Sequence, residues 1–150
     1  MKAVVARVKS ASVSIGGKVE GSIGKGYLIL LGVGPGDTEA EADFLAEKIV
    51  NLRVFEDGQG KMNLNIEQAG GQMLVVSQFT LYADLRSRRP GFSHAAPPAL
   101  AEPLYCYFMK RLEEKGFPPQ HGSFGADMQV ESVNDGPVTL LFDTAELHKS

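Results

Sequence analysis

The spacing of apolar residues predicts a chain built mostly of strands. Lys2–Val8 is predicted to be a strand, with Val4, Ala6 and Val8 on one face and Val5 and Arg7 on the other. Tyr27–Val33 is a continuous apolar run between glycines, which is typical of a central strand buried on both faces. Further runs bounded by turn residues predict strands at Arg53–Glu56, Gln72–Tyr82, Met128–Val133 and Val138–Asp143.

A hairpin is predicted around Gly16-Gly17. A loop of these two glycines alone would place Ile15 opposite Lys18. A three-residue loop that includes Lys18 places Ile15 opposite Val19 instead, and it keeps the apolar residues on one face. The pattern favours the longer loop. The flanking strands are Ser12–Ile15 and Val19–Ile23, with Val13 expected opposite Gly21.

Two amphipathic helices are predicted. Thr38 and Glu41 have the spacing of a capping box, and the apolar residues that follow recur with the helical period over residues 39–51. Pro97-Pro98 can open the first turn of a second helix, which Gly116 ends. We expect Cys106 to lie on the buried stripe of that helix. The stripe consists of Ala101, Leu104, Tyr105, Phe108 and Leu112.

Hairpin-linked strands with two inserted helices indicate an α+β fold. We expect a strongly curved, barrel-like and mostly antiparallel sheet flanked by the two helices. The sequence contains no linker, repeat or low-complexity segment. Residues 1–150 are therefore expected to form a single domain.

Composition narrows the classes of function. The apolar share of 43% is that of a globular protein, and no apolar run approaches the roughly 20 residues that span a bilayer. Residues 1–7 reach a charge too early for a signal peptide, and the single cysteine excludes an internal disulfide. These features predict a cytoplasmic protein without a membrane partner. The formal net charge of −3 argues against a protein that coats DNA or RNA electrostatically, although Arg86, Arg88 and Arg89 form a local basic cluster.

The usual catalytic constellations are missing from the sequence. His94, His121 and His148 do not have the spacing of metal ligands, so we expect no metal site. Ser77 lies inside a predicted strand and not on a nucleophile elbow, and Cys106 is expected to be a core thiol. No glycine-rich phosphate loop is present, so no cofactor is expected.

Two stretches depart from the strand pattern. Ser77-Gln78-Phe79-Thr80 sets three hydrogen-bonding side chains in a predicted buried strand. Buried polar groups need partners or a ligand, unless the strand is an edge strand with solvated polar positions. Asn134-Asp135-Gly136-Pro137 has the composition of a β-turn. If its Gly-Pro bond were cis, two successive carbonyl oxygens would point in nearly the same direction.

Together, these two stretches resemble the SQxT and NxGP[VF]T signatures of the D-aminoacyl-tRNA deacylase family. The second runs through Asn134-Asp135-Gly136-Pro137-Val138-Thr139. Residues 143–150 match no signature, and we assign them no role. Three further segments match in order: Arg7-Val8 with Ala11-Ser12-Val13, Gly60-Lys61-Met62-Asn63-Leu64, and Gly125-Ala126-Asp127-Met128.

The resemblance implies a homodimeric hydrolase that releases a D-amino acid from the acceptor end of tRNA. A cis Gly136-Pro137 bond would enter the partner subunit's site, hold the amino group of the D-residue and exclude an L side chain, while Arg7 braces the motif. Backbone groups near Phe79 and Thr80 would face the ester carbonyl. The side chains of Ser77, Gln78 and Thr80 would set that backbone and line the site. The family is thought to use the 2′-hydroxyl of the terminal adenosine to activate water.

The resemblance also implies contacts with parts of the tRNA away from the ester. Phe79, Ala101 and Phe124 would face the terminal adenosine, unless they serve core packing. Arg86, Arg88 and Arg89 would contact tRNA phosphate. The resemblance leaves open which D-amino acids are preferred and whether glycyl-tRNA is also cleaved.

Two other classes of function compete with this interpretation. One is a non-catalytic RNA-binding module, with the arginine cluster on phosphate and Phe79 stacked on a base. The other is a small-molecule hydrolase with a pocket at a subunit interface. A general RNA binder is expected to be more basic than this chain.

Overall fold

The sheet is organised around one long strand, β1 (Lys2–Ile15), in the computed structural model, which describes residues 1–147. Along one edge, the first half of β1 pairs with β3 (Gly26–Gly32) and the second half with β2 (Lys18–Ile23). Along the other edge, both halves pair with β8 (Gln129–Asp143), and all three pairings are antiparallel. The regular strand pairings of β8 within residues 1–147 are with β1 alone.

The sheet curves into a nearly closed barrel. β6 (Gln72–Ser77) runs parallel to β3, and β7 (Gln120–His121) runs parallel to β6. β2 returns against β7, since a Cβ on Gly21 would lie 3.1 Å from the carbonyl oxygen of His121. The predicted α+β class with a barrel-like sheet is confirmed. Two of its strand pairs, β3–β6 and β6–β7, are parallel.

Helices cover one face of this sheet. The two predicted helices are confirmed as α1 (Glu39–Asn51) and α3 (Pro98–Glu114), and Thr38 and Glu41 form the predicted capping box. The apolar stripe of α3 packs on one face of β3, which carries Tyr27, Ile29 and Leu31, and Leu28 is buried on the opposite face. The pattern did not predict the short elements α2 (Ile66–Ala69), α4 (Thr144–Leu147) and β5 (Met62–Leu64).

The position predicted for Cys106 is wrong. Its side chain is exposed, whereas its neighbour Tyr105 is buried. One residue along an α-helix turns the side chain by about 100°, which carries Cys106 off the narrow apolar stripe.

The loop predicted for the first hairpin is also wrong. Ile15 pairs with Lys18, so Gly16 and Gly17 alone form the turn, both with positive φ as a primed turn requires. A β-bulge between Val13 and Ser14 absorbs the one-residue difference, and the predicted pairing of Val13 with Gly21 is confirmed. The chain therefore combines the tight turn with the expected register beyond it.

Four strand predictions differ from the structure in their boundaries. Lys2–Val8 and Ser12–Ile15, which were predicted as separate strands, are joined in β1. The predicted strand Gln72–Tyr82 ends at Ser77, and Phe79–Tyr82 forms a 3₁₀ turn. Residues 129–143 form one strand interrupted by a bulge, where two strands hinged at a turn were predicted. The strand predicted at Arg53–Glu56 is reduced to β4 (Phe55–Glu56), which pairs with β5. No helix in the described part of the chain is long and apolar enough to cross a membrane.

Candidate active site

A cavity of about 520 Å³ opens where β6 ends. Ser77, Gln78 and Phe79 line it from the strand end, and Ala101 and Phe124 line it from the opposite side. Leu31 and Val76 are among its apolar walls. A concave, mostly apolar site with a few polar groups at one point is the usual form of a ligand pocket. Five of the residues predicted from sequence therefore meet in one place.

The backbone turns sharply at the polar stretch. The amide of Gln78 donates to the carbonyl of Leu31 at 2.8 Å, which ends the β3–β6 pairing. The amides of Phe79 and Thr80 donate to no backbone carbonyl within residues 1–147, because they start the 3₁₀ turn. Both amides therefore lack a backbone acceptor, and Phe79 is the one of the two residues that lines the cavity. The Gln78 side-chain amide donates to the Thr80 hydroxyl, and Thr80 itself does not line the cavity.

Two aromatic side chains form one wall of the cavity. Phe79 is 55% exposed and meets Phe92 edge to face, with 5.2 Å between ring centroids. On the far side, the Phe124 ring lies 5.8 Å from the Tyr105 ring, and the Tyr105 hydroxyl donates to the Val75 carbonyl at 3.4 Å. Large apolar groups held partly exposed at a cavity mouth are suited to binding a flat ring.

Glycines make room for the turn, a feature that the sequence analysis missed. A Cβ on Gly32 would lie 3.0 Å from the Gln78 carbonyl oxygen and 3.1 Å from the Leu81 Cβ. A Cβ on Gly34 would lie 3.0 Å from the Tyr82 hydroxyl. The spacing of two glycines at the end of a buried strand is the signal that could have indicated a close backbone approach.

The Gly136-Pro137 segment lies elsewhere on the surface. Val8 pairs with Asn134 and Ala6 with Thr139, so residues 135–138 bulge out opposite Arg7 alone. The Gly136–Pro137 peptide bond is cis, and both residues are exposed. Neither residue lines the cavity of its own chain. We call residues 135–138 the β8 bulge.

Arg7 lies beneath the β8 bulge and is 5% exposed. Its Nε donates to the Asp135 carbonyl at 3.1 Å, and the Asp135 carboxylate lies 3.7 Å from the same nitrogen. Another guanidinium nitrogen donates to the Val54 carbonyl at 2.6 Å. A buried guanidinium with fixed acceptors is a rigid support, and here it supports the segment that carries Gly136.

The arginine cluster lies on an exposed loop. Asp84 and Gly91 close the loop by two backbone hydrogen bonds of 2.7 and 2.9 Å. Hydrogen bonds from Arg86 lower the pKa of Asp84 to about 2, so Arg86 is already paired. Arg88 and Arg89 are exposed and form no ion pair within residues 1–147. Within this cluster, Arg88 and Arg89 are therefore available to an external anion.

The remaining candidates lie apart from the cavity. His94 approaches the Asp84 carboxylate at 3.6 Å, and His121 Nδ1 lies 2.6 Å from the Gly122 carbonyl oxygen. His148 lies outside the described residues. Cys106 does not line the cavity. Within residues 1–147, no three His, Cys, Asp or Glu side chains are grouped so that they could hold a metal ion.

Comparisons with known proteins find a family that matches most of the chain. A family model described as D-Tyr-tRNA(Tyr) deacylase matches residues 4–143. A D-aminoacyl-tRNA deacylase of Symbiobacterium thermophilum is 57% identical over 96% of this chain and 96% of its own length. A D-aminoacyl-tRNA deacylase of Roseiflexus castenholzii is 58% identical over 97% of this chain and 93% of its own length.

Two solved structures share the fold. One, described as c-Myc DNA Unwinding Element Binding Protein, superposes with a TM-score of 0.91 at 43% identity, over 95% of this chain and 98% of that one. The other, described as a probable eukaryotic D-amino acid tRNA deacylase, superposes with a TM-score of 0.80 over the same shares of the two chains. At 14% identity, it shows the likeness of the fold alone.

Gly32→Ala is expected to move the turn that carries Phe79. The new Cβ would press on the Gln78 carbonyl oxygen, so we expect the amide resonances of residues 78–82 to shift and the free energy of unfolding to fall by about 1–3 kcal/mol. The control is Gly36→Ala, because a Cβ there meets nothing within 4 Å. Unchanged resonances in Gly32→Ala would show that the contact does not hold the turn.

Proposed function

We propose a mechanism by which this chain selects and cleaves its substrate. The chain belongs to the D-Tyr-tRNA(Tyr) deacylase family, and the mechanism proceeds from that fact. It is a D-aminoacyl-tRNA deacylase, a hydrolase that acts on the ester bond of aminoacyl-tRNA. Water adds to the ester carbonyl carbon, the bond to the ribose oxygen breaks, and that oxygen takes up a proton. The products are a free D-amino acid and tRNA.

The cavity at the end of β6 is the proposed site of cleavage. The observation that carries this proposal is that Ser77, Gln78 and Phe79 line one cavity together with Ala101 and Phe124. The terminal adenosine would lie against Phe79 and Phe124, with Ala101 leaving space for the ring. Apolar walls suit a base, and the polar strand end suits the ester.

Backbone amides would supply the catalytic stabilisation. The free amides of Phe79 and Thr80 would donate to the oxygen that becomes negatively charged as water adds to the ester. A donor fixed before the reaction needs no reorganisation, and losing one such donor typically costs about 2.7–4 kcal/mol. Ser77, Gln78 and Thr80 would hold this backbone in place, through contacts such as that of Gln78 with the Thr80 hydroxyl.

No protein nucleophile is needed for this reaction. The ester is activated by the neighbouring ammonium group of the aminoacyl residue, so the barrier to be lowered is modest. The 2′-hydroxyl of the terminal adenosine would help to activate the attacking water. The cavity is consistent with such a mechanism. Among residues 1–147, its lining includes the Ser77 hydroxyl of the SQxT stretch and no histidine.

Chiral selection is proposed to come from a second copy of the chain. Gly136 and Pro137 are exposed on the β8 bulge and do not line the cavity of their own chain, which supports the proposal that they complete the site of another subunit. There, their carbonyl oxygens would hold the amino group of a D-residue, and their bulk would exclude an L side chain. The 84% exposure of Leu141 on the same strand supports an interface there. We therefore propose a homodimer.

Exclusion by bulk has a consequence for glycine. A glycyl residue has no side chain to collide with Gly136 or Pro137, so we propose that glycyl-tRNA mischarged on tRNA-Ala is also cleaved. We further propose that residues 1–150 form one deacylase domain and that it works in the cytoplasm, where aminoacyl-tRNA is made and used.

Release of amino acid from charged tRNA tests the proposal directly. We expect turnover of D-Tyr-tRNA and none of L-Tyr-tRNA or of D-tyrosine methyl ester, because selection and binding both require the tRNA end. Sedimentation of the same sample should give the mass of a dimer. Binding without turnover would support an RNA-binding module, and equal cleavage of the methyl ester would support a small-molecule hydrolase.

Arg88 and Arg89 are expected to act on tRNA affinity and not on chirality. The double variant Arg88→Ala, Arg89→Ala should raise KM for D-Tyr-tRNA and reduce the slope of its salt dependence by up to about 2, since two phosphate contacts are lost. Arg86→Ala is the comparison within the loop, and a smaller effect is expected because Asp84 already pairs with Arg86. Cleavage of L-Tyr-tRNA by the double variant would contradict this assignment.

The substrate's 2′-hydroxyl is expected to matter more than any one side chain. Ser77→Ala should retain measurable single-turnover deacylation at saturating enzyme, with a loss of about 100-fold if its hydroxyl positions the turn. Cys106→Ala, which changes a side chain outside the cavity, is the control and should match the unmodified protein. A tRNA ending in 2′-deoxyadenosine should react far more slowly than either variant. An acyl-Ser77 intermediate, or full activity on the deoxy substrate, would refute this mechanism.

A further inference from the structure

Arg7 has two anchors, and only one of them belongs to the strand that it supports. One anchor is the Asp135 carbonyl in the β8 bulge, at 3.1 Å from Nε. The other is the Val54 carbonyl, at 2.6 Å, which precedes β4. The position of the guanidinium therefore depends on the segment between α1 and β4 as much as on β8.

An aromatic pair fixes the second anchor. Phe55 follows Val54, and its ring lies 5.2 Å from the Tyr27 ring, tilted by 39°. Tyr27 is the cross-strand partner of Arg7 in the β1–β3 pairing, so the two side chains stand side by side on one face. Arg7 thus lies beside Tyr27, and Tyr27 packs against Phe55. Val54, which precedes Phe55, accepts a hydrogen bond from Arg7 and so connects the pair back to the guanidinium.

Tyr27 contributes to these contacts through its aromatic ring and not through its hydroxyl. Tyr27 is 0% exposed, and its hydroxyl has no hydrogen-bond partner within residues 1–147. Burial raises the pKa of Tyr27 well above its ordinary value, an effect that the charge of Arg7 partly opposes. The phenol is therefore neutral at physiological pH.

The β8 bulge has little freedom to adjust to a shift of the guanidinium. A Cβ on Gly136 would lie 2.9 Å from Arg7 Nη2, so the backbone of the bulge rests close to that nitrogen. A movement of Arg7 would change its hydrogen bond to Asp135 and the support under Gly136 together. Small displacements of a positioning group are costly in an enzyme site.

From these contacts we propose that Tyr27 and Phe55 are positioning residues for chiral selection, acting through Arg7 on the β8 bulge. The proposal rests on the proposed function of Gly136 and Pro137. It assigns a specificity role to a buried aromatic pair that lies outside the cavity. By fixing Arg7, the pair limits movement of the β8 bulge, which excludes an L side chain.

The experiment compares the rates of D-Tyr-tRNA and L-Tyr-tRNA cleavage in four variants. Tyr27→Leu and Phe55→Leu each remove one ring of the pair. We expect the ratio of D to L cleavage to fall by roughly 10- to 200-fold, the range that one steric contact provides. Tyr27→Phe keeps the ring and should retain the ratio of the unmodified protein.

Phe108→Leu is the matched control. Phe108 is a fully buried aromatic residue on α3, so its loss should destabilise the fold by a similar amount. A purely structural effect lowers both rates together and leaves the ratio unchanged. We therefore expect Phe108→Leu to retain the ratio, with urea unfolding used to match the stabilities of the variants.

Each outcome bears on the inference. An unchanged ratio in both Tyr27→Leu and Phe55→Leu would overturn it, and so would an equal fall of the ratio in Phe108→Leu. A fall of the ratio in Tyr27→Phe would show that the hydroxyl acts and would also overturn it. If the unmodified protein cleaves L-Tyr-tRNA as fast as D-Tyr-tRNA, the proposed function itself fails and the inference falls with it.

Discussion

The pairing of β1 on both of its edges is the constraint on which the rest of the structure depends. A single strand of 14 residues binds β2 and β3 on one side and β8 on the other. It therefore joins the barrel to the surface strand that carries Gly136. The same strand carries Arg7, so the bulge and its support are placed by one continuous piece of backbone.

The sequence predicted those parts of the fold in which one side-chain period persists over several turns or strand positions. The helix over residues 39–51 was predicted correctly because its cap and its apolar period agree. The 3₁₀ turn at Phe79–Tyr82 was missed, because its β-forming residues continue the pattern of β6 and only contacts with β3 end the strand. Cys106 was misplaced because a single position on a narrow stripe decides between burial and exposure.

For the candidate site too, local sequence patterns identified residues, and only the tertiary structure showed where they lie. Motifs singled out Ser77–Thr80 and Gly136-Pro137. No local pattern could reveal that Ser77, Gln78 and Phe79 line a cavity of their own chain and that Gly136 and Pro137 do not. That separation arises from the path of β8 along β1, which is a long-range property. Likewise, the Val54 carbonyl has no signature in sequence, because every residue has a carbonyl and only the tertiary fold brings this one to Arg7.

The β8 bulge has an evolutionary consequence. Four residues stand opposite one between the pairs Val8–Asn134 and Ala6–Thr139, and a second register shift lies between Val8 and Ser10. An insertion or deletion among residues 135–138 can therefore be absorbed locally, whereas elsewhere on β8 it would turn every following side chain to the opposite face. The barrel thus tolerates a change in the length of the bulge, whereas the contacts of Arg7 with Asp135 and Gly136 constrain it.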